Sequence, residues 1–240
     1  MERLISAVKQ LLGFDLTPPQ VAAFRLYAAE LAEWNEKFNL TAIKNPVEVE
    51  IKHFADSLSC LALIRQATND QRRTVIDIGT GAGFPGLPLK IVYPDLRVTL
   101  VESVGKKVMF LEHIVGKLEL KEVTVIKSRA EEIGQHPDHR ERYDWAVARA
   151  VAEMPILLEY LLPLAKVGGK VLAQKGENAP VEAQEAERSA KILGGVLSRV
   201  TPVELPGIVE PRHLVVFDKV AATPKRYPRR PGLPGKQPLK

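Results

Sequence analysis

One cysteine, Cys60, is all that this 240-residue chain contains, which rules out an internal disulfide and suits the reducing cytosol. Cys60 sits in the apolar segment 58–64 and reads as core. Charges interrupt every hydrophobic stretch, so no run reaches the length of a membrane span, and the opening residues carry no secretion-signal pattern. These absences describe a cytoplasmic protein that crosses no membrane. Metal-ligand spacing is missing too. His136-Pro137-Asp138-His139 is a proline-broken loop with no further converging ligands, and no metal is expected. No internal repeat is evident.

With 45% hydrophobic residues the chain can build a sizeable core, and its length suits one large domain with an appendage. The formal net charge of +5 is unevenly spread. Residues 219–240 hold seven Lys and Arg and no acid, which leaves 27 basic against 29 acidic residues elsewhere. The same tail carries Pro224, Pro228, Pro231, Pro234 and Pro238, which oppose a helix and favour an extended, disordered arm. Lys225, Arg226, Arg229 and Arg230, with Tyr227 among them, are candidates to hold RNA phosphates and stack on a base. A solubilising end without a ligand is the plainer alternative.

The most informative stretch runs from Val75 to Gly83. Residues 74–78 are β-branched and apolar except for Asp77, and they lead directly into Gly79, Gly81 and Gly83. Glycines permit a sharp turn and the close approach of a ligand to the backbone. Pro85 and Pro88 fit the first turn of a following helix. Gly81-Ala82-Gly83-Phe84-Pro85-Gly86 also matches the dinucleotide fingerprint, so a nicotinamide cofactor competes for the loop. Asp77 separates the two readings. Its carboxylate suits S-adenosylmethionine, a ligand with an ammonium, a sulfonium and no phosphate, and would repel a diphosphate. A second apolar strand, 97–101, ends at Glu102, 23 positions after Gly79, where a carboxylate can take ribose hydroxyls.

Further apolar segments at 123–126, 145–148 and 170–174 alternate with helix-length amphipathic stretches, which implies a parallel sheet covered on both faces. Topology then gathers Gly79, Glu102, residues 128–131 and Arg149 at one crevice by the carboxyl ends of the strands. The expected class is α/β, a Rossmann-like S-adenosylmethionine-dependent methyltransferase fold with an N-terminal helical cap. In that cap, Thr17-Pro18-Pro19-Gln20 is a capping box followed by a stripe of Tyr27, Leu31, Trp34 and Phe38. Asn45-Pro46-Val47-Glu48 repeats the start signal and leads to His53 and Asp56, whose spacing allows a local hydrogen bond or a contact with substrate or cofactor. The polar stretch 68–73 divides a helical region, 1–67, from a cofactor domain, 68–220, with the tail at 221–240.

Asp77-Ile78-Gly79-Thr80-Gly81-Ala82-Gly83-Phe84-Pro85-Gly86, Ser128-Arg129-Ala130-Glu131 and Ala148-Arg149-Ala150 resemble the RsmG (GidB) family of bacterial small-subunit rRNA methyltransferases. The likeness extends to Asn39-Leu40-Thr41, to His53-Phe54-Ala55-Asp56-Ser57-Leu58 and to Arg212-His213-Leu214-Val215-Val216. It implies methyl transfer from S-adenosylmethionine to ring nitrogen 7 of one guanine in the 16S rRNA of the small ribosomal subunit, near the decoding centre. It also implies that Gly79, Phe84, Ala130, Glu131 and Arg149 contact the cofactor, with Glu102 beside the ribose. Nitrogen 7 already holds an in-plane lone pair, so no general base is required and none is assigned. The cysteine-dependent chemistry of pyrimidine carbon 5 is not expected. Two other classes stay open: a nicotinamide-dependent dehydrogenase using the same glycines, and a non-catalytic ribosome-binding module. Nothing in the sequence requires an oligomer.

Overall fold

The computed structural model describes residues 1–65 and 73–239. Within them, seven strands form one sheet: β1 Thr74–Ile78, β2 Arg97–Glu102, β3 Val123–Lys127, β4 Tyr143–Arg149, β5 Ala165–Lys175, β6 Gly195–Val203 and β7 Arg212–Lys219. Their order is β3-β2-β1-β4-β5-β7-β6. Strands β1 to β5 pair in parallel, while β7 runs antiparallel to both β5 and β6. The five strands expected from the sequence pair in parallel, and β6 and β7, which were not among them, add an antiparallel edge. The link 204–211 is too short for a parallel crossover, which needs roughly a dozen residues or more, so β6 and β7 close as an antiparallel pair.

Residues 75–78 of β1 are all buried, as a central strand covered on both faces demands of a near-continuous apolar run. The chain leaves β1 towards β2 and β3 on one side and returns to β4 on the other. That reversal opens a crevice at the carboxyl ends of β1 and β4, the place where sheets of this kind take ligands.

The cap consists of α1 Glu2–Leu12, α2 Pro18–Phe38 and a helical run from Pro46 to Ile64 that includes the π-helix Val49–Ala55. At the start of α2, Gln20 N donates to Thr17 Oγ1 (3.4 Å) and Thr17 N donates to Gln20 Oε1 (2.9 Å), closing a reciprocal capping box. Phe24, Tyr27 and Phe54 of the cap belong to the same buried cluster as Leu100 and Leu111 beneath the sheet. Cap and sheet thus share one core. The boundary expected at 68–73 lies outside the described residues except for Arg73, whose Nη1 donates to the Ile64 carbonyl (3.0 Å).

The tail corrects an expectation. Rather than forming a disordered arm, residues 221–239 lie against the body. The Arg140 guanidinium donates to the carbonyls of Gly134 (2.9 Å), Tyr227 (2.7 Å), Thr223 (2.7 Å) and Pro224 (3.2 Å). Gln135 Nε2 adds bonds to the carbonyls of Lys225 (3.1 Å) and Pro228 (2.8 Å). Proline limits regular helix here to the single turn Leu233–Lys236 and leaves carbonyls free, and one guanidinium with five donors can collect several of them. Tyr227 is buried in the core cluster on this face. Arg140→Leu is expected to cost about 1.5–3 kcal/mol per charged hydrogen bond left unmade, as an upper range. Urea denaturation should register that loss, and trypsin should cut faster after Lys225 and Arg226; an unchanged midpoint and cleavage rate would contradict the anchoring.

Candidate cofactor and active site

β1 delivers Asp77 to the carboxyl edge of the sheet, fully buried. Its Oδ2 accepts from Thr80 Oγ1 (2.6 Å) and from Gly86 N (2.8 Å). One oxygen therefore ties the glycine turn to the first residue of the Gly86–Val92 helix. Gly79 and Gly81 take left-handed φ values of 66° and 64°, which glycine adopts without a Cβ penalty. A Cβ at Gly86 would stand 2.5 Å from Leu100 Cδ2 and 3.0 Å from Asp77 Oδ2, so a side chain there would break the brace. From the cap, Tyr27 Oη donates to the Ala82 carbonyl, and a Cβ at Gly83 would collide with that hydroxyl at 2.5 Å.

The sequence reading has Asp77 facing the ligand; the structure turns it inward as the turn's own brace. The Gly86 N–H and the Thr80 hydroxyl, both within the same turn, supply its donors. Burial pushes the Asp77 carboxyl up to about 7, against the opposing pull of Thr80 and Gly86, and its Oδ1 has no partner among the described residues. Glu102, at the end of β2, accepts from the backbone N–H groups of Gly81 (3.1 Å), Ser103 (2.7 Å) and Val104 (2.9 Å). A carboxylate offers about four acceptor sites, so Glu102 keeps capacity for a hydroxyl beside Gly81.

β4 ends at Arg149, which reaches into the cap. Its Nη1 donates to the Lys52 carbonyl (3.0 Å) and Asp56 Oδ2 (3.0 Å), and its Nη2 to His53 Nδ1 (3.0 Å). The guanidinium lies 5.0 Å from the Phe84 ring centre, and the His53 and Tyr27 rings stack on Phe84 at 4.4 Å and 5.5 Å. Arginine only donates, so His53 Nδ1 is bare and its Nε2 carries the proton towards Thr41 Oγ1 (2.8 Å). Burial, with the Arg149 charge beside it, holds His53 down at about 3. Burial likewise raises the Asp56 carboxyl, with Arg149 pulling the other way. Instead of bonding to each other, His53 and Asp56 converge on Arg149. Sequence spacing on one helix could not show a partner that arrives from β4.

A cavity of about 340 Å³ opens where the strands end. Of the sequence candidates, Gly79, Ala130 and Glu131 line it, whereas Asp77, Phe84 and Arg149 belong to the layer that braces the turn. A Cβ at Gly79 would lie 2.8 Å from Val151 Cγ2 on the cavity wall. Ile78, Val101, Val151 and Ile156 supply an apolar surface, and Glu131 an acceptor. A nucleoside fits one carboxylate acceptor over hydrocarbon, with the polar Ser103, Ser128 and Arg129 also on the wall, and the volume falls in the range of small-molecule sites. Sequence reasoning missed Ile156 and Tyr160 on the Met154–Leu161 helix, although any residue just beyond the end of β4 was placed there by topology. It also missed Gly235, for which no local signal exists. A smaller groove of about 160 Å³ on the cap, lined by residues that include Ala28, Leu31, Ile43 and Pro46, holds none of the candidate cofactor residues.

The basic candidates divide. Lys225, Arg226 and Arg230 are exposed. Arg229 is not available as expected, because its Nε (2.8 Å), Nη2 (2.6 Å) and backbone N (2.8 Å) all engage the fully buried Glu159. Removing one partner of such a pair strands a buried charge, which typically costs 3–5 kcal/mol. Tyr227 is buried as well, with Arg226 over its ring at 5.0 Å. Among the described residues, no group of three or more His, Cys, Asp or Glu is gathered to hold a metal, and no helix is long and apolar enough to cross a membrane.

A Rossmann-like sheet with an antiparallel β7, a glycine turn after β1 and a crevice at the strand ends are the features of the S-adenosylmethionine-dependent methyltransferase class. Solved structures agree on the fold. A putative RNA methyltransferase from Pyrococcus horikoshii superposes with a TM-score of 0.53 at 20% identity, covering 80% of this chain and 96% of that one. A SAM-dependent methyltransferase from Aquifex aeolicus gives 0.52 at 21% identity, covering 72% and 93%. A family model described as rRNA small subunit methyltransferase G matches residues 20–215. Relatives named ribosomal RNA small subunit methyltransferase G are 51% identical in Roseiflexus castenholzii, over 95% of both chains, and 46% identical in Desulforamulus reducens, over 94% and 93%. The chain belongs to the rRNA small subunit methyltransferase G (GidB) family. These relatives lend no support to a dehydrogenase or to a non-catalytic module.

The neutral His53 gives a pH signature. Unfolded, it binds a proton near 6.5; folded, only near 3. The native state therefore holds this stabilisation above pH 6.5 and loses it as pH falls towards 3. Between pH 6.5 and 4.5, the stability of the native chain in urea is expected to fall more steeply than that of His53→Gln. Asp77 acts with the opposite sign, but equally in both proteins, and cancels in the difference. Parallel pH profiles would show that His53 is not held neutral.

Proposed function

We propose that this protein transfers a methyl group from S-adenosylmethionine to ring nitrogen 7 of one guanine of 16S rRNA, in the small ribosomal subunit near the decoding centre, and that it does so in the cytoplasm. The observation that carries this reading is family membership over residues 20–215, joined to a cavity walled by the motif residues Gly79, Ala130 and Glu131. Bound there, S-adenosylmethionine supplies a methyl made electrophilic by its sulfonium.

The chain's own residues divide the work. Gly79, Ala130 and Glu131 contact the cofactor, and Glu102, held against Gly81, takes the ribose hydroxyls. Asp77 and Phe84 keep the turn in shape. Arg149, fixed by His53 and Asp56, positions cofactor or substrate at the end of β4. Guanine nitrogen 7 needs no proton removed before it attacks, so no residue serves as a base. What remains is alignment and exclusion of water, and well-oriented partners reach effective molarities of about 10⁵ M or more. Lys225, Arg226 and Arg230 meet RNA phosphates, a role supported by their exposure and charge.

Small subunits from a methylation-deficient strain, incubated with the protein and labelled S-adenosylmethionine, are expected to yield 7-methylguanosine on nuclease digestion and mass spectrometry. Label at another position would overturn the nitrogen 7 assignment; no transfer would overturn the catalytic reading. Replacing Lys225, Arg226 and Arg230 together with Gln should flatten the dependence of log K on log salt by about 2–3, given roughly 0.7–0.9 per phosphate contact. An unaltered slope would remove the tail from the RNA interface.

A further inference from the structure

The C-terminal segment lies beyond residues 20–215, the span that the family model matches, yet it reaches the cofactor cavity. Gly235 lines that cavity together with Glu131 and Tyr160. The N–H of Gly232, a residue with φ 78°, donates to Glu131 Oε1 (2.8 Å) and so holds a carboxylate of the cavity wall. The approach is secured on both sides. Upstream, Arg229 clamps the fully buried Glu159 of the Met154–Leu161 helix, the helix that also carries Tyr160. Downstream, Arg229 Nη2 donates to the Gln237 carbonyl (2.8 Å) and Ser189 Oγ to the Leu239 carbonyl (2.9 Å).

We propose that residues 229–236 form a wall of the S-adenosylmethionine site, with Gly232 orienting the Glu131 carboxylate and Gly235 bounding the space beside it. The proposal rests on the cavity being the cofactor site. A chain that ends before Arg229 leaves the cavity open on this side and leaves Glu131 without its backbone donor. Such a site would be larger, wetter and less preorganised, and a preorganised site binds more tightly because less ordering accompanies binding. The segment expected from its charge to hold RNA phosphates or merely to solubilise the chain thereby becomes part of the small-molecule site, with Lys225, Arg226 and Arg230 exposed.

The test is the affinity of S-adenosylhomocysteine, measured by titration calorimetry without any RNA. The full chain should bind it, and a chain truncated after Tyr227 should bind at least tenfold more weakly. Loss of Arg229 strands the Glu159 carboxylate, so circular dichroism and thermal melting must first show that the truncated chain is folded. If it is not, Gly235→Leu decides. A Cβ at Gly235 meets nothing within 4 Å, so this variant should melt as the native chain does while its affinity drops at least tenfold. Native affinity in a folded truncated chain, or in Gly235→Leu where truncation unfolds the protein, overturns the proposal. Failure of the full chain itself to bind would overturn instead the assignment of the cavity.

Discussion

Two hydrogen bonds to a single oxygen of Asp77 hold the site together. They join Thr80 and Gly86, at opposite ends of the turn after β1, and they exist only because Gly86 has no Cβ to push that oxygen away. Tyr27 presses on the same turn from the cap through the Ala82 carbonyl. A backbone held at three points keeps one shape, and Gly79 at its start lines the cavity. The cost is a fully buried carboxylate with one oxygen unpartnered among the described residues, and the raised proton affinity of Asp77 is its direct mark.

The cap is consequently part of the site. Arg149 leaves the sheet at the end of β4 and spends its donors on the cap, on Asp56, His53 and the Lys52 carbonyl. Asp56 balances the charge, while a neutral His53 accepts without adding a second cation. Phe84, at the tip of the glycine turn, lies under this cluster and stacks with both His53 and Tyr27. Turn, strand end and cap helices are therefore one polar and aromatic assembly, which a division at residues 68–73 would separate. The π-helix at Val49–Ala55 widens the turn that carries His53, a deviation from regular helix that recurs at functional sites.

Much of the fold was legible because its signals are local. The apolar run 74–78, the glycines after it, the capping box at Thr17 and the apolar segments of β2 to β5 each report a backbone state set by nearby residues. The edge was less legible: β6 and β7 alternate weakly, and their antiparallel pairing follows from the length of a loop rather than from composition. Gly79, Ala130 and Glu131 were readable as cavity residues because strand ends in such a sheet share one crevice. Asp77 was read correctly in position and wrongly in direction, since an acid at a strand end can turn outward to a ligand or inward to its own turn, and only the placement of Gly86 decides which.

The tail marks the limit of sequence reasoning. Its prolines and lack of acids describe a chain that can make few hydrogen bonds with itself, and apart from local turns, one short helical turn and the Arg229–Gln237 bond it makes few. They say nothing about donors elsewhere, and Arg140, Gln135 and Glu159, far away along the chain, supply the partners. The amino-acid sequence by itself determined the strand–turn–helix beside the cavity, because steric limits on φ and the burial of β-branched side chains act over a few residues. Only the tertiary structure decided where Asp77 points, what Arg149 holds and where residues 221–239 lie, because each depends on groups that meet in space after long stretches of chain have folded.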